Sequence, residues 1–439
     1  MPETKGMTEH RLPEAIARLD ALVNWERRDR DAAMRRGIEP VADVLERLGG
    51  PAGRFRAVHV AGTKGKGTTS SLVATALAKA GKKVGLYTSP HVDRIHERIR
   101  VDGRDVEDST LARALDLALG ARERALAEGT PGAAATWFDL VTAAGFLIFA
   151  EAEVEWAVVE CGLGGRLDST NVVRGEVCIV TNIDLEHTAV LGASLAAIAR
   201  EKGGILKRGS TLVTGVLADP RLPPAEDPSH VLDGIARELP CPVLRPRELA
   251  PTMLGRNIDL ARLALDELGA REVRDRDGWL VEGRLLDPET IRAARLPGRL
   301  EKLLHGGVRV VIDAAHVPSS VGMVLEELGG DPDLPGRPVA VVALGRDKNA
   351  REIFRILAAA TDTVVCTTVP SGPLSAAEAL VEEARCVGLG AETAADPRTA
   401  YARALEIAED GRWVLVIGSF YLAGAIRRES IAKPPQPPA

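Results

Sequence analysis

Short, almost wholly apolar runs separated by longer amphipathic segments constrain the fold of this 439-residue chain more than any other feature. The runs at 156–160 and 177–181 hardly alternate between apolar and polar residues, which is typical of parallel strands covered by helices on both faces. From about residue 294 the alternation of strand and helix begins again. Four further apolar runs follow at 308–314, 338–345, 363–368 and 413–419. The sequence therefore predicts an α/β protein with two doubly wound sheets.

This restart divides the chain into two predicted domains and a tail. Residues 1–293 form the first domain, 294–430 the second, and the proline-rich residues 431–439 are predicted to be disordered. Helices are predicted within 11–49 and over 68–81, 109–128, 138–151 and 256–269, further strands at 55–60 and 83–89, and a hairpin over 97–106 around Asp102-Gly103. Residues 216–252 show no clear periodicity and are predicted to be a partly looped excursion.

Composition excludes several classes of function. The formal charge of −6 and an aromatic content of 3% argue against a nucleic-acid-binding surface, which needs cations and stacking rings. The five cysteines are dispersed without CxxC spacing, as expected for reduced thiols in a cytoplasmic protein. No apolar run approaches the roughly 18 residues that would span a bilayer. We therefore expect a cytoplasmic chain with neither a nucleic-acid nor a membrane partner.

A glycine-rich loop lies between the predicted strand at 55–60 and the helix that follows it. The loop reads GTKGKGT and comprises Gly62, Thr63, Lys64, Gly65, Lys66, Gly67 and Thr68. Glycines let backbone N–H groups converge on phosphate oxygens, and the helix N-terminus adds a partial positive charge. Lys66 is predicted to neutralise phosphate charge, and the Thr68 hydroxyl to help order Mg²⁺ or phosphate. The strict Walker pattern fails, since it requires Gly at Val60 and Ser or Thr at Gly67; the simpler alternative is an ordinary glycine-rich turn.

The variant spelling of the loop resembles the Mur ligase superfamily and, more narrowly, folylpolyglutamate and dihydrofolate synthases. Other segments resemble that family in the same order: YTSPH (87–91) with ERI (97–99), VECGLGGRLD (159–168), EH (186–187) before LG (191–192), EKGGILK (201–207), PGRLE (297–301), DAAH (313–316) and GSFYL (418–422). The resemblance covers about residues 15–428. It implies a P-loop NTPase-like central domain with a parallel sheet, followed by a smaller Rossmann-like domain.

The family's chemistry is an ATP-dependent amide synthesis. The resemblance implies that the γ-phosphoryl group of ATP is transferred to a folate or pterin carboxylate. The amine of L-glutamate then attacks the resulting acyl phosphate, which releases ADP and phosphate. Such a transfer depends mainly on positioning and on neutralising charge, so Mg²⁺ is implied at two sites.

Two pairs of residues match the family's metal positions. Ser89 and Glu160 each lie at the C-terminal end of a predicted strand and supply hard oxygen ligands, which suit Mg²⁺. His187 and Lys202 match the second site, where the family carries a carbamylated lysine. Carbamylation requires a neutral amine, so we expect cations and burial to lower the pKa of Lys202. The alternative is that Lys202 pairs with Glu201 at the surface.

The remaining implied contacts surround the nucleotide. Asn257, Arg299, Asp313 and His316 match positions near the adenine, phosphates and ribose, and Arg299 is the best placed to stabilise charge on the transferred phosphoryl group. The implied catalytic set is therefore Lys66, Glu160, His187, Lys202 and Arg299.

The chain departs from the family pattern mainly in its second half. Val317 replaces an Asn, Asn349 replaces an Asp, an Arg near 372–376 is absent, and a His-Gln pair before Asn257 is missing. On the folate side Trp137-Phe138-Asp139 stands where Phe-Glu is usual. Asp139, Lys348 and Ser419 are the predicted substrate contacts.

Three hypotheses remain at this stage. The first is a folylpolyglutamate synthase, which may or may not also make dihydrofolate. The second is a Mur-type ligase that joins an amino acid to a different carboxylate. The third is a non-catalytic ATP-binding relative. Each is expected to be a monomer.

Overall fold

The computed structural model describes residues 5–24, 37–272, 281–370, 372–408 and 411–432. Contacts divide the chain into two compact units. The first contains the chain up to Pro90 together with Ile95–Pro251 and Gly255–Ala294. The second contains His91–Arg94, Thr252–Leu254 and the chain from Arg295 onward. Each unit has a sheet and buried apolar clusters of its own.

The first unit contains an eight-stranded sheet. Its strands are β1 (Arg56–Ala61), β2 (Val84–Tyr87), β3 (Ile99–Val101), β4 (Arg104–Asp105), β5 (Trp156–Glu160), β6 (Gly175–Val180), β7 (Thr211–Thr214) and β8 (Val243–Leu244). They lie in the order β4-β3-β2-β5-β1-β6-β7-β8. The six strands from β2 to β8 in that order run parallel, whereas β3 pairs antiparallel with both of its neighbours, β2 and β4. Because β5 and most of β6 are buried, they carry no alternating pattern.

The predicted hairpin is confirmed. Its strands β3 and β4 pair around Asp102 and Gly103, which have φ values of 49° and 75°. These left-handed conformations are those that a tight hairpin turn requires, and Asp and Gly tolerate them. The hairpin extends the sheet beyond β2 and leaves the parallel strands in the centre.

Helices cover the first sheet. They are α1 (Lys5–Asp20), α2 (Glu39–Arg47), α3 (Lys66–Lys79), α4 (Asp108–Glu128), α5 (Trp137–Glu151), α6 (Thr188–Leu191), α7 (Leu195–Gly203), α8 (Pro228–Glu238), α9 (Met253–Glu272) and α10 (Pro288–Ala293). The helix after the glycine-rich loop begins at Lys66, two residues earlier than predicted. Of the predicted helical stretch over 11–49, residues 25–36 lie outside the described residues.

Residues 216–252, predicted to be a partly looped excursion without clear periodicity, contain α8 and β8 between loops. Helix α8 has its own start signal, which the proline-rich composition obscured. Asp227 caps the helix by accepting a hydrogen bond from the Ser229 amide at 2.7 Å, and Pro228 occupies the first turn.

Helix α5 packs against β2. The Phe149 ring packs so closely on Gly85 of β2 that a Cβ there would lie 2.7 Å from it. Phe146 adds edge-to-face contacts with Phe55 and Tyr87, each with ring centroids 5.8 Å apart. This packing holds the carboxyl end of β2 firmly, and the next residues carry part of the candidate site.

The second unit contains a six-stranded sheet. Its strands are β9 (Glu301–His305), β10 (Val308–Ile312), β11 (Val339–Val342), β12 (Thr363–Cys366), β13 (Gly390–Thr393) and β14 (Val414–Ile417). They lie in the order β13-β12-β11-β14-β10-β9, with only β9 antiparallel to its neighbour. The four predicted strands are confirmed. The two edge strands, β9 and β13, were missed because they are only partly buried and lack an apolar run.

Five helices cover the second sheet. They are α11 (Pro318–Gly329), α12 (Ala350–Leu357), α13 (Ala377–Cys386), α14 (Pro397–Ala408) and α15 (Phe420–Ala432). Helix α15 continues two residues into the segment predicted to be a disordered tail, and residues 433–439 lie outside the described part of the chain. None of the described helices is long and apolar enough to cross a membrane.

Candidate active site

The glycine-rich loop connects β1 to α3, as predicted. Gly62 and Gly65 have φ values of 146° and 79°, which side chains rarely adopt. A Cβ on Gly62 would lie 1.8 Å from Thr181 Oγ1, and one on Gly65 would lie 2.2 Å from Asn257 Oδ1. Both glycines are therefore required by backbone conformation and by space.

Asn257 lies beside the loop, as the resemblance implied. Its side chain is buried, with 4% exposure. Its Nδ2 has no hydrogen-bond partner among the residues that the structure describes. A buried amide nitrogen without a partner is costly, so this atom fits a site that is completed by a ligand.

Two residues that the sequence analysis missed hold the first part of the loop. The Asn182 side-chain oxygen accepts hydrogen bonds from the amides of Thr63 and Lys64, at 3.1 and 2.8 Å. The Thr181 hydroxyl donates to the Lys64 carbonyl at 2.6 Å. Both residues follow β6, more than 100 residues along the chain, and no local pattern marks them. They preorganise the loop without a nucleotide.

The last part of the loop is the first turn of α3. The first bond of this helix runs from the Thr69 amide to the Gly65 carbonyl, at 2.9 Å. The amides of Lys66, Gly67 and Thr68 precede it and have no acceptor within the helix. Three such N–H groups together with the positive end of the helix dipole favour a bound anion such as phosphate.

Two lysines converge on the loop. Lys66 Nζ donates to the carbonyls of Gly62 at 3.1 Å and Thr63 at 3.4 Å. Lys202 Nζ, from α7, donates to the same Gly62 carbonyl at 2.6 Å. The loop thus brings two lysine side chains next to the place where the phosphates are predicted to bind.

The environment of Lys202 is the cation-lined, desolvated one that carbamylation requires. The residue is 3% exposed. Burial lowers the pKa of Lys202 to about 7, and the charges of Lys66 and Lys64 act in the same direction, while Glu186 opposes them. The alternative of a surface pair with Glu201 is wrong, because Lys202 is buried and its Nζ donates to the Gly62 carbonyl.

The predicted metal residues Ser89 and Glu160 lie together. Ser89 follows β2 and Glu160 is the last residue of β5, and the carboxyl ends of these neighbouring parallel strands meet at one edge of the sheet. Both are buried, and Glu160 Oε2 accepts a hydrogen bond from the Ser89 amide at 2.9 Å. Glu160 also pairs in register with Val60, two residues before Gly62. The pair therefore adjoins the loop.

Oxygen donors of this kind fit Mg²⁺, which usually takes one or two carboxylates and completes its shell with phosphate oxygens and water. Within the described ranges, no three or more His, Cys, Asp or Glu side chains are grouped as a metal site. The Ser89–Glu160 pair accordingly fits Mg²⁺ only as part of a shell that a nucleotide completes.

His187 is connected to the glycine-rich loop through Glu186, which precedes it in the chain. It has a left-handed φ of 51° just before α6, and its Nε2 lies 3.5 Å from Glu186 Oε1. Glu186 also pairs with Lys64 at 3.2 Å. Although burial raises the pKa of the Glu186 carboxyl, the charges of Lys64, Lys66 and His187 lower it overall. Glu186 is thus an ionised link between His187 and the loop.

Asp139, a predicted substrate contact, has a structural role. It closes a capping box at the start of α5, where its carboxylate accepts from the Thr136 amide and hydroxyl, each at 2.8 Å. The Ser169 hydroxyl donates to its other oxygen at 2.6 Å. These bonds occupy both carboxylate oxygens, so a role in binding substrate stays a prediction.

In the second unit, Asp313 shapes the turn that carries Arg299. Its carboxylate accepts from the amides of Leu300 at 2.9 Å and Ala315 at 2.8 Å. Burial raises the pKa of the Asp313 carboxyl, and the charge of Arg299 opposes this shift. His316 Nδ1 lies 2.9 Å from the Ala314 carbonyl. The nucleotide contacts implied for these residues stay predictions.

Two further predicted residues are also held by their surroundings. The Lys348 ammonium pairs with Asp347 at 2.7 Å, so its charge is largely neutralised. The Ser419 hydroxyl accepts from the Leu422 amide at 2.9 Å and caps α15. Asn349, one of the departures, caps α12 by accepting from the Glu352 amide, which an Asp can do equally well.

Comparisons with known proteins identify relatives of this chain. A family model described as Mur ligase, glutamate ligase domain, matches residues 298–420. The chain is 31% identical over 425 residues to the folylpolyglutamate synthase of Lacticaseibacillus casei, covering 88% of this chain and 93% of that protein. It is 29% identical over 438 residues to the dihydrofolate synthase/folylpolyglutamate synthase of Escherichia coli K12, covering 94% and 95%.

A solved structure also matches along the whole chain. It is a Mycobacterium tuberculosis folylpolyglutamate synthase complexed with ADP, with a TM-score of 0.78 and 27% identity, and the match covers 98% of this chain and 100% of that one. The E. coli FolC in complex with DHPP and ADP matches with a TM-score of 0.76 and 27% identity over 96% and 98% of the two chains. The chain therefore belongs to the folylpolyglutamate synthase/dihydrofolate synthase family of the Mur ligases and is an ATP-dependent, ADP-forming ligase.

Proposed function

We propose that this chain joins L-glutamate to the carboxylate of a folate at the expense of ATP, through an acyl phosphate. One observation carries the proposal: the Lys66 ammonium donates to the Gly62 carbonyl within a glycine-rich loop whose helix offers free amides, and the buried Lys202 side chain reaches the same carbonyl. This concentration of positive charge suits a transferring phosphoryl group better than a static ligand. The family relatives named for folate synthesis support the choice of substrate.

In the first step, a carboxylate oxygen of the folate attacks the γ-phosphorus, and the bond from that phosphorus to the ADP oxygen breaks. The amides of Lys66, Gly67 and Thr68 hold the phosphates, while the Lys66 ammonium neutralises charge. Because Asn182 already fixes the loop, little reorganisation is needed when the nucleotide binds.

In the second step, the neutral amine of L-glutamate attacks the acyl carbon, and the carbon–oxygen bond to phosphate breaks. The amine loses one proton before its attack and a second one as the amide forms. The products are ADP, inorganic phosphate and a folate one glutamyl residue longer. The acyl phosphate supplies the driving force that an amide synthesis in water lacks.

The Ser89 hydroxyl and the Glu160 carboxylate are proposed to hold one Mg²⁺, with His187 and Lys202 at a second. When bound, Mg²⁺ supplies charge neutralisation at the phosphate oxygens. The lowered pKa of Lys202 supports carbamylation, because a neutral amine is present at neutral pH. The neutral amine nitrogen would add to CO₂ and release one proton, and the side chain would change from neutral to anionic.

The second unit is proposed to be the glutamate ligase domain. Residues 1–293 would form the ATP-binding domain and 294–430 the second domain, which contains the segment matched by the family model. Arg299 would stabilise the phosphoryl group in transit, with Asp313 holding its turn. Asn257 and His316 would contact the nucleotide.

The test measures ADP release with ATP and either dihydropteroate or tetrahydrofolate, with and without L-glutamate. We expect release only when a folate substrate and L-glutamate are both present. Release that depends on another carboxylate but on neither folate would favour a different Mur-type ligase. Tight ATP binding without turnover on any substrate pair would favour a non-catalytic relative. Either of the last two outcomes overturns the proposal.

A further inference from the structure

Two loops at the carboxyl ends of β11 and β12 are joined by backbone contacts. The Ser375 amide donates to the Leu344 carbonyl at 2.9 Å, and Gly345 forms an isolated antiparallel bridge with Leu374. The Arg346 amide then donates to the Pro373 carbonyl at 3.2 Å. These contacts fix the backbone of Arg346 against the second loop, so its side chain starts from a defined position.

The Arg346 guanidinium lies on the second loop. Its Nε donates to the Leu374 carbonyl at 3.0 Å. Within the described part of the chain, its two terminal nitrogens have neither a hydrogen-bond partner nor a carboxylate. Residues 372–376 contain no charged side chain of their own. Arg346 thus supplies a positive charge to a loop that has none.

The neighbouring lysine does not supply this charge. Lys348 is paired with Asp347 at 2.7 Å, and that pair is electrically almost neutral. Arg346 therefore has the only guanidinium or ammonium in 344–349 and 372–376 that is not matched by a carboxylate among the described residues. Because the Leu374 carbonyl holds Nε, the two terminal nitrogens of the Arg346 guanidinium remain for a ligand.

The position of Arg346 is one where ligands bind. Open α/β sheets hold their ligands outside the carboxyl ends of the parallel strands. Strand β11 lies in the interior of the second sheet, between β12 and β14. A guanidinium there presents two parallel N–H groups, whose spacing matches the two oxygens of a carboxylate.

We propose that Arg346 binds a carboxylate of the incoming L-glutamate and so selects an acidic amino acid. This inference rests on the proposed function, because it assigns a substrate contact to the same reaction. Arg346 is absent from the residues that sequence motifs single out. Its role follows from the hydrogen bond to Leu374 and the unmatched charge.

The test compares wild type with Arg346→Gln and Arg346→Lys in steady-state ADP release with saturating folate. The Gln amide can still donate to the Leu374 carbonyl, so the loop contact is retained while the charge is lost. We expect Arg346→Gln to raise the KM for L-glutamate about 10- to 100-fold, as loss of a bidentate charge-assisted contact does. The KM for ATP should stay unchanged. Arg346→Lys should give an intermediate value, because it keeps the charge and loses the fork.

Arg355→Gln is the matched control, since Arg355 is an exposed arginine of α12 whose partner is Glu352. It should leave the KM for L-glutamate unchanged, and the melting temperatures of all variants should agree with wild type. A KM for L-glutamate within twofold of wild type in Arg346→Gln overturns the inference. Wild-type enzyme without glutamate-dependent ADP release refutes the proposed function instead, so the two failures are distinguishable.

Discussion

Replacing Lys202 by Met should change the pH dependence of stability. Lys202 is 3% exposed, and burial together with the charges of Lys66 and Lys64 lowers its pKa from 10.5 to about 7. In the unfolded chain the pKa returns to its ordinary value. At pH values between about 7 and 10.5 the unfolded state therefore binds more protons than the folded state, and the free energy of unfolding of wild type rises with pH. Methionine keeps most of the side-chain volume and cannot titrate.

The magnitude follows from the size of the shift. A difference of about 3.5 pKa units corresponds to roughly 5 kcal/mol of penalty for burying the charged amine, fully present below pH 7 and absent above 10.5. Between pH 7 and 9 the penalty falls by about 2 kcal/mol. The unfolding free energy of Lys202→Met minus that of wild type should fall by the same amount. The loss of the hydrogen bond to Gly62 adds an offset that does not depend on pH.

The assay is urea unfolding at pH 7, 8 and 9 in CO₂-free buffer, which keeps the amine unmodified. Lys79→Met is the control, because Lys79 is a partly exposed lysine of the same unit. It reports the effect of removing a lysine charge near solvent. If the difference in unfolding free energy between Lys202→Met and wild type stays constant from pH 7 to 9, the burial and pKa assigned to Lys202 are refuted.

Two further substitutions test the loop and the carboxylate pair. Gly65→Ala forces a Cβ to within 2.2 Å of Asn257 Oδ1 and should weaken ATP binding at least 10-fold in calorimetry. Gly50→Ala is the control, because Gly50 also has a positive φ, 65°, but has open space around it. This control should lower the free energy of unfolding by only about 1–2 kcal/mol. Equal ATP affinity in the Gly65 variant would contradict the role of the loop. Glu160→Gln keeps an oxygen for the Ser89 amide and loses the charge, so turnover should fall at least 100-fold at an unchanged melting temperature. Full turnover would remove Glu160 from the site.

Much of the fold was predictable because its central strands are short apolar runs. Strands β5 and β6 could be recognised from residues alone, and the strand–loop–helix frame placed the glycine-rich loop correctly. Strand β13 could not be recognised, because as a half-exposed edge strand it contains Gly390, Glu392 and Thr393. Helix α8 could have been recognised from Asp227-Pro228, which is a helix start signal that the surrounding prolines obscured.

The site was predictable only where a local motif marks it. The hydrogen bond of Lys202 to Gly62 joins residues 140 positions apart, and resemblance rather than periodicity had singled out Lys202 as a site residue. Asn182 and Arg346 were missed because each is singled out only by its hydrogen bonds to the backbone of a distant segment, which no local motif marks. For Asp139, the motif gave no sign that the carboxylate also caps a helix, and its contact with substrate stays a prediction.

The most direct test of the central claim, that ATP activates the carboxylate which then forms the amide, follows the oxygen atoms. The enzyme would be supplied with ATP, L-glutamate and a folate substrate labelled with ¹⁸O in its reacting carboxylate. Mass spectrometry would then measure the label in inorganic phosphate. Transfer through an acyl phosphate predicts one ¹⁸O atom in each phosphate released. Phosphate without label, alongside amide formation, would contradict the account.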